Sequence, residues 1–275
     1  MINSEHYTLF DKITVKPRLT MPFEHYKEVD LSSRNTLGLP SVSQYLGAFH
    51  SVSDLQHAFE FARNLSLPCF VMGGGSNILL PEYLPGLALL SSDRSIDIMG
   101  DEVTVGAGAS WDNLVAETLK NGLFGLENLS SIPGTAGAAP IQNIGAYGVE
   151  LARFVVSVEA LDLQNGLAVT LTVNDCQFEY RDSLFKRHPE RFVVTRLTLK
   201  LSTRFAPILA YQDLQRLPAQ ITESAEGLRR AIQSIRAKKL PDYRVFGNVG
   251  SFFKNPTLMK SVIQTLEQAQ VLNSN

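Results

Sequence analysis

Residues 128–149 read NLSSIPGTAGAAPIQNIGAYGV, a long stretch of small residues without one charged side chain. Few folds accommodate such a stretch. A flexible Gly/Ser linker would lack the apolar anchors that recur here, Ile132, Ile141, Ile144 and Tyr147. Two readings remain. The segment is either a buried small-residue packing element or backbone lying flat against a large planar ligand, with Gln142 and Asn143 at its polar edges. Loops of this length without structure of their own are usually functional, which favours the ligand.

Around it, the spacing of apolar residues predicts an α+β chain. A strand is expected near Gln44–Phe49. A helix over Ser53–Leu65 follows, with Leu55, Ala58, Phe59 and Ala62 on one face and Ser53 as N-cap. Strands are expected at 68–73, 86–90, 102–108 and 191–201. Ser110 should cap a helix through WDNLVAETLK that Asn121-Gly122 ends in the left-handed manner. Gln164-Asn165-Gly166, between FVVSVEALDL and LAVTLTV, is the strongest hairpin signal in the chain. Thr222–Lys239 is expected as a helix with Leu228, Ile232 and Ile235 inward, stopped before Pro241. Residues 1–30 are polar and weakly periodic and are expected as an extension.

Charge narrows the function classes. The 25 Lys+Arg and 27 Asp+Glu of the 275 residues leave no basic footprint for nucleic acid. No apolar run reaches the ~20 residues of a membrane helix, and the polar N-terminus does not read as a signal peptide. The two cysteines, Cys69 and Cys176, fit no redox or metal motif, and the five histidines lack ligand spacing. A cytoplasmic protein without a metal is expected.

Five further segments bear on chemistry. VMGGGSNILL (71–80) runs a strand into Gly73-Gly74-Gly75-Ser76-Asn77, where successive N–H groups could form an anion-holding concavity. It is neither G-x-G-x-x-G nor a P-loop, and a plain tight turn reads equally well. Arg181 in FEYRDSLFK suits a carboxylate, although an Arg181-Asp182 ion pair is the simpler account. The basic end of the helix at 222–239 is ordinary helix-terminus complementarity, and Tyr211 in PILAYQDL has an ordinary core or surface reading. Ser251 in GNVGSFFKNP has Lys254 and Asn255 close behind it. A serine donates a proton only if cations or donors stabilise its conjugate base; taken alone, it is a turn serine.

Together, NTLG, GGGSNIL, GLENLSSIPG, PIQNIGAYGVE, YRDSLFK, LAYQDL, KLPD and GSFFKNP, in this order over residues 33–256, resemble one family closely. It is the UDP-N-acetylenolpyruvoylglucosamine reductases, flavoenzymes also called UDP-N-acetylmuramate dehydrogenases; LAYQDL resembles the subtype with a tyrosine loop over the substrate.

The resemblance implies an FAD-binding domain of the vanillyl-alcohol-oxidase (PCMH-type) class at 31–205. The tyrosine loop, a connecting helix and the start of a substrate-binding domain would occupy 206–275. It implies non-covalent FAD held by Gly73, Gly74, Gly75, Ser76, Asn77, Gln142, Asn143, Gly145 and Tyr147, with NADPH as hydride donor. The substrate would be UDP-N-acetylglucosamine enolpyruvate and the product UDP-N-acetylmuramate, a peptidoglycan precursor. Arg181 would hold the enolpyruvyl carboxylate, Ser251 would give the proton to C2, and Tyr211, Lys239 and Asn255 would hold the uridine diphosphate. The family's pattern continues past GSFFKNP, with a further glutamate for the site. The substrate domain is therefore expected to be incomplete, and the competing reading is a catalytically impaired flavin- or nucleotide-sugar-binding relative.

Overall fold

The computed structural model describes residues 23–256 and 258–269, in which two sheets with different hydrophobic patterns share a helix. The first sheet is built from β1 (His25–Asp30), β2 (Val42–Phe49), β3 (Cys69–Met72) and β4 (Tyr83–Ser91), with α1 (Val52–Asn64) between β2 and β3. Its order is β1-β2-β4-β3; β2 and β3 run parallel to β4, and β1 pairs antiparallel with β2. Being central, β4 is covered on both faces, so it reads as a nearly continuous apolar run. Leu87 and Leu89 pack with Leu55, Ala58, Phe59 and Ala62 of α1, and Leu84 and Ala88 pack with Leu31, Leu46 and Met72.

The second sheet is antiparallel throughout. Apart from the two-residue pair β7 (Gly145–Ala146) and β8 (Val149–Glu150) after α2 (Trp111–Lys120), which forms a sheet of its own, it begins with β5 (Ile96–Met99) and β6 (Glu102–Gly106). It is completed by β9 (Val155–Asp162), β10 (Leu167–Thr172) and, beyond the short helix α3 (Leu184–Arg187), β11 (Phe192–Lys200). The order is β10-β9-β11-β6-β5. Asn165-Gly166 turns β9 into β10, with Gly166 at φ 72°. Trp111, Leu114 and Val115 of α2 bury in the main core, and the Trp111 indole donates to Leu129 O at 2.9 Å. Leu161, Leu163 and Val193 join the cluster around α1, which binds the sheets together.

The remaining chain forms α4 (Gln212–Gln215), α5 (Ala219–Thr222), α6 (Ala225–Lys239) and α7 (Lys260–Gln268). Leu228 and Ile232 of α6 bury with Leu214, against Tyr147 and Phe205. A bidentate pair from Arg229 to Asp112, at 2.7 and 2.9 Å, fastens α6 to the first turn of α2.

Three sequence expectations change. Residues 25–30, expected as extension, are the edge strand β1; its mostly exposed side chains leave little periodicity to read, and residues 1–22 lie outside the described residues. The N-cap of α1 is Ser51, not Ser53. The Ser51 hydroxyl accepts the Asp54 N–H while the Asp54 carboxylate accepts the Ser51 N–H, a capping box. The helix expected from Thr222 starts at Ala225, where Ser224 accepts the Gly227 N–H at 3.1 Å.

Glu127 is 4% exposed and accepts the Gly125 N–H at 2.9 Å. Burial pushes its carboxyl above the usual range; backbone hydrogen bonds oppose this, and the charge of Glu226 adds to it. A carboxyl raised in the folded state contributes stability below the unfolded value of about 4.3 and loses it as pH rises through the folded value. Glu127→Gln should therefore raise the melting temperature at about pH 8 and leave it unchanged near about pH 4, as thermal unfolding at the two pH values would show.

Candidate active site

The turn leaving β3 is pressed into its neighbours. A Cβ on Gly73 would lie 2.8 Å from the Ala138 Cβ and 2.9 Å from the Thr135 hydroxyl, and one on Gly74 2.8 Å from the Gly134 Cα. Gly75 sits at φ 68°, and a Cβ there would overlap the Arg34 carbonyl. The glycines thus serve close backbone packing, in addition to the tight turn or ligand approach that the sequence suggests. Ser76 donates to Pro133 O at 3.2 Å and the Asn77 amide to the Gln142 side chain at 3.0 Å. The turn and the 128–149 segment therefore form one wall.

That wall carries unused polar groups. The N–H groups of Gly74, Gly75, Ser76 and Asn77 donate to no acceptor among the described residues. Thr36, 5% exposed, donates its N–H to Gly75 O at 3.0 Å, yet its own hydroxyl has no partner among the described residues. Free N–H groups on a glycine turn, beside an orphaned hydroxyl and an uncharged surface, fit a dinucleotide's diphosphate and planar ring. The Thr36 carbonyl in turn accepts the Asn248 N–H at 2.8 Å. NTLG, unassigned from sequence, thereby joins the glycine turn to the GNVGSFFKNP loop.

Arg181 stands at φ 55° in a tight reversal where Glu179 and Asp182 exchange backbone hydrogen bonds. Its Nη2 donates to Gly145 O at 2.5 Å, and the guanidinium lies over the Tyr180 ring, 5.1 Å from its centroid. The anticipated ion pair does not form, since Asp182 pairs with Arg187 at 2.7 Å. Lys186, another residue the sequence reading left unassigned, donates to Arg181 O at 3.0 Å. Burial, followed by the charge of Lys254, lowers the Lys186 ammonium below its usual range. Cations from YRDSLFK and GSFFKNP therefore converge.

Beside the wall, the Tyr147 and Tyr211 rings meet edge to face at 5.3 Å, and Lys239 is held by Asp213 at 2.5 Å. The Asn128 amide donates to Tyr147 O and Ile208 O, both at 2.9 Å, so the tyrosine loop is hung on the uncharged segment. Gly73–Asn77, Gln142, Gly145, Tyr147, Arg181, Tyr211 and Lys239 are thus gathered on connected elements. Ser251 and Asn255 are exposed, and their side chains have no hydrogen-bond partner among the described residues. Asn143 differs from expectation: its carboxamide is turned into the protein, 1% exposed.

A mixed sheet and an antiparallel sheet, joined beside a glycine turn with free N–H groups, form a frame that fits a flavin dinucleotide. The family model described as FAD binding domain matches residues 44–172. The same fold, of the vanillyl-alcohol-oxidase class, is found in 6-hydroxy-D-nicotine oxidase from Arthrobacter nicotinovorans, with 18% identity, a TM-score of 0.50 and coverage of 68% of this chain and 44% of that one. Narrower relatives agree on one activity. The UDP-N-acetylenolpyruvoylglucosamine reductase of Polynucleobacter asymbioticus is 41% identical over 89% of this chain and 73% of its own length. That of Cupriavidus pinatubonensis is 45% identical over 82% and 69%. The crystal structure of the Thermus caldophilus reductase superposes with a TM-score of 0.65 at 26% identity, over 90% of this chain and 81% of that chain. The chain belongs to the UDP-N-acetylenolpyruvoylglucosamine reductase family and is an FAD-containing oxidoreductase.

Proposed function

We propose that this chain reduces UDP-N-acetylglucosamine enolpyruvate to UDP-N-acetylmuramate with NADPH, in the cytoplasm, as a step of peptidoglycan precursor synthesis. The observation that carries the reading is the wall formed by Gly73–Asn77 and the 128–149 segment, with the Arg181 guanidinium resting on the Gly145 carbonyl at its end. FAD held against this wall would supply the hydride chemistry, relaying a hydride from NADPH to C3 of the enolpyruvyl group.

The residues of the chain do the rest. The N–H groups of Gly74–Asn77 and the Thr36 hydroxyl hold the diphosphate, and the uncharged segment offers a flat face to the ring. Arg181 binds the substrate carboxylate and stabilises the negative charge that grows as hydride reaches C3. Ser251 gives its proton to C2, with Lys186 and Lys254 favouring the alkoxide left behind. Tyr211, Lys239 and Asn255 hold the uridine diphosphate. Non-covalent attachment is supported by the absence of an attachment motif in the sequence.

The test is an absorption spectrum before and after acid precipitation, followed by NADPH consumption with and without the enolpyruvyl substrate. Flavin released into the supernatant and substrate-dependent NADPH oxidation are expected. Protein that takes up no FAD, or NADPH oxidation indifferent to the substrate, would overturn the reading.

A further inference from the structure

Arg181 does not hold itself in place. It sits at φ 55°, a left-handed backbone region that is strained for a side chain such as arginine, at the tip of a two-residue reversal. Strain of this kind persists where the surroundings over-determine it. The surroundings here converge on Asn143, itself at φ 45°.

The Asn143 carboxamide uses both its donors and its acceptor. Nδ2 donates to the Glu150 carboxylate at 3.0 Å and to Glu179 O at 3.0 Å, and Oδ1 accepts the Ala152 N–H at 2.9 Å. Glu150 and Ala152 belong to the strand side of the site; Glu179 is the first residue of the reversal that carries Arg181. One buried side chain therefore spans the gap between the strand side and the arginine turn. Its backbone carbonyl is also the second oxygen facing the guanidinium, 3.5 Å from Nη1, next to the stronger bond from Nη2 to Gly145 O. On the other side, Ser183 donates to Ile141 O at 2.6 Å, so the turn is pinned at both of its ends.

We infer that Asn143 is a positioning residue for Arg181: its carboxamide fixes the spacing between the 143–145 carbonyls and the 179–182 turn, and so aims the guanidinium at the substrate carboxylate. Buried at 1% exposure with every polar atom engaged, this side chain has no capacity left to read the edge of a flavin ring. The inference rests on the proposed role of Arg181.

The test compares Asn143→Gly and Asn143→Ala, alone and combined with Arg181→Ala, in FAD-loaded protein. Glycine adopts φ 45° without strain, so Asn143→Gly removes the brace while leaving the backbone free to stay in place. It keeps the test decisive if the alanine variant folds poorly. Three quantities are measured: flavin retained, the rate of flavin reduction by NADPH, and the affinity and rate with the enolpyruvyl substrate, read from the flavin spectrum. Asn143→Gly should retain flavin and be reduced by NADPH within about twofold of the unmodified protein. It should lose about 10–100-fold in substrate reduction, the scale on which supporting residues act on a site. In the Arg181→Ala background the same change should add less than about twofold, because its effect passes through the arginine. Equal losses in both half-reactions, loss of flavin from folded Asn143→Gly, or full additivity with Arg181→Ala would overturn the inference. An Arg181→Ala variant that binds and reduces substrate normally would instead overturn the carboxylate role proposed for the arginine.

Discussion

Arg181→Ala should lower the rate of enolpyruvyl reduction by about 10²–10³, the cost of removing one well-placed donor from a developing negative charge, while NADPH reduces the flavin at an unchanged rate. The asymmetry follows from where the charge appears. Hydride transfer from nicotinamide to flavin does not involve the substrate carboxylate, whereas hydride addition at C3 drives charge toward C2 and that carboxylate. Arg181→Lys should recover only part of the loss. The guanidinium is held by the Gly145 carbonyl and lies over Tyr180, and an ammonium reproduces neither the fork nor the stacking. Stopped-flow measurement of the two half-reactions decides the matter. An equal fall in both would mean that the variant has disturbed the flavin site, and no fall in either would remove Arg181 from the mechanism.

Gly75→Ala should be the most damaging single-methyl change in the described chain. Its left-handed backbone alone costs about 1–2 kcal/mol with any Cβ, and the added carbon would overlap the Arg34 carbonyl, a backbone group that cannot rotate away. The displaced segment is the one that bonds Gly75 O through Thr36 and carries the Thr36 hydroxyl. A stability loss of about 4 kcal/mol or more, the range reserved for severe core clashes, should accompany failure to retain FAD. Gly100→Ala is the control. It has a similar φ of 62° and open space around the missing Cβ, so it should cost only the backbone term. Urea unfolding and the flavin spectrum measure both variants, and equal stabilities for the two would refute the clash argument.

The features legible before folding were those whose physics is local. Asn121-Gly122 ends α2 with Gly122 at φ 68°, and Asn165-Gly166 turns the β9–β10 hairpin. In both cases the requirement is a backbone angle that the residue itself supplies. Periodicity located α1, α2, β6 and β11 because one covered face imposes its period on the sequence. It missed β1 and β5, edge strands whose burial is slight. It also chose Ser53 over Ser51, since two serines lie near the helix start and only the Asp54 reciprocity separates them.

The site divides the same way. Glycine-rich character, the uncharged segment and an arginine of the right chemistry were visible as residue types in order along the chain. The reason Gly75 must be glycine was not visible, because it is the carbonyl of Arg34, 41 positions earlier, in space-filling contact with it. The bonding of Thr36 to both Gly75 and Asn248, and the use of Asn143 as a brace and not an open amide, were equally hidden. Residue chemistry and short-range backbone preference are properties of the chain at each point. The aim of a guanidinium and the partner of a buried amide depend on which distant segments share a wall, and that is settled only when the sheets pack.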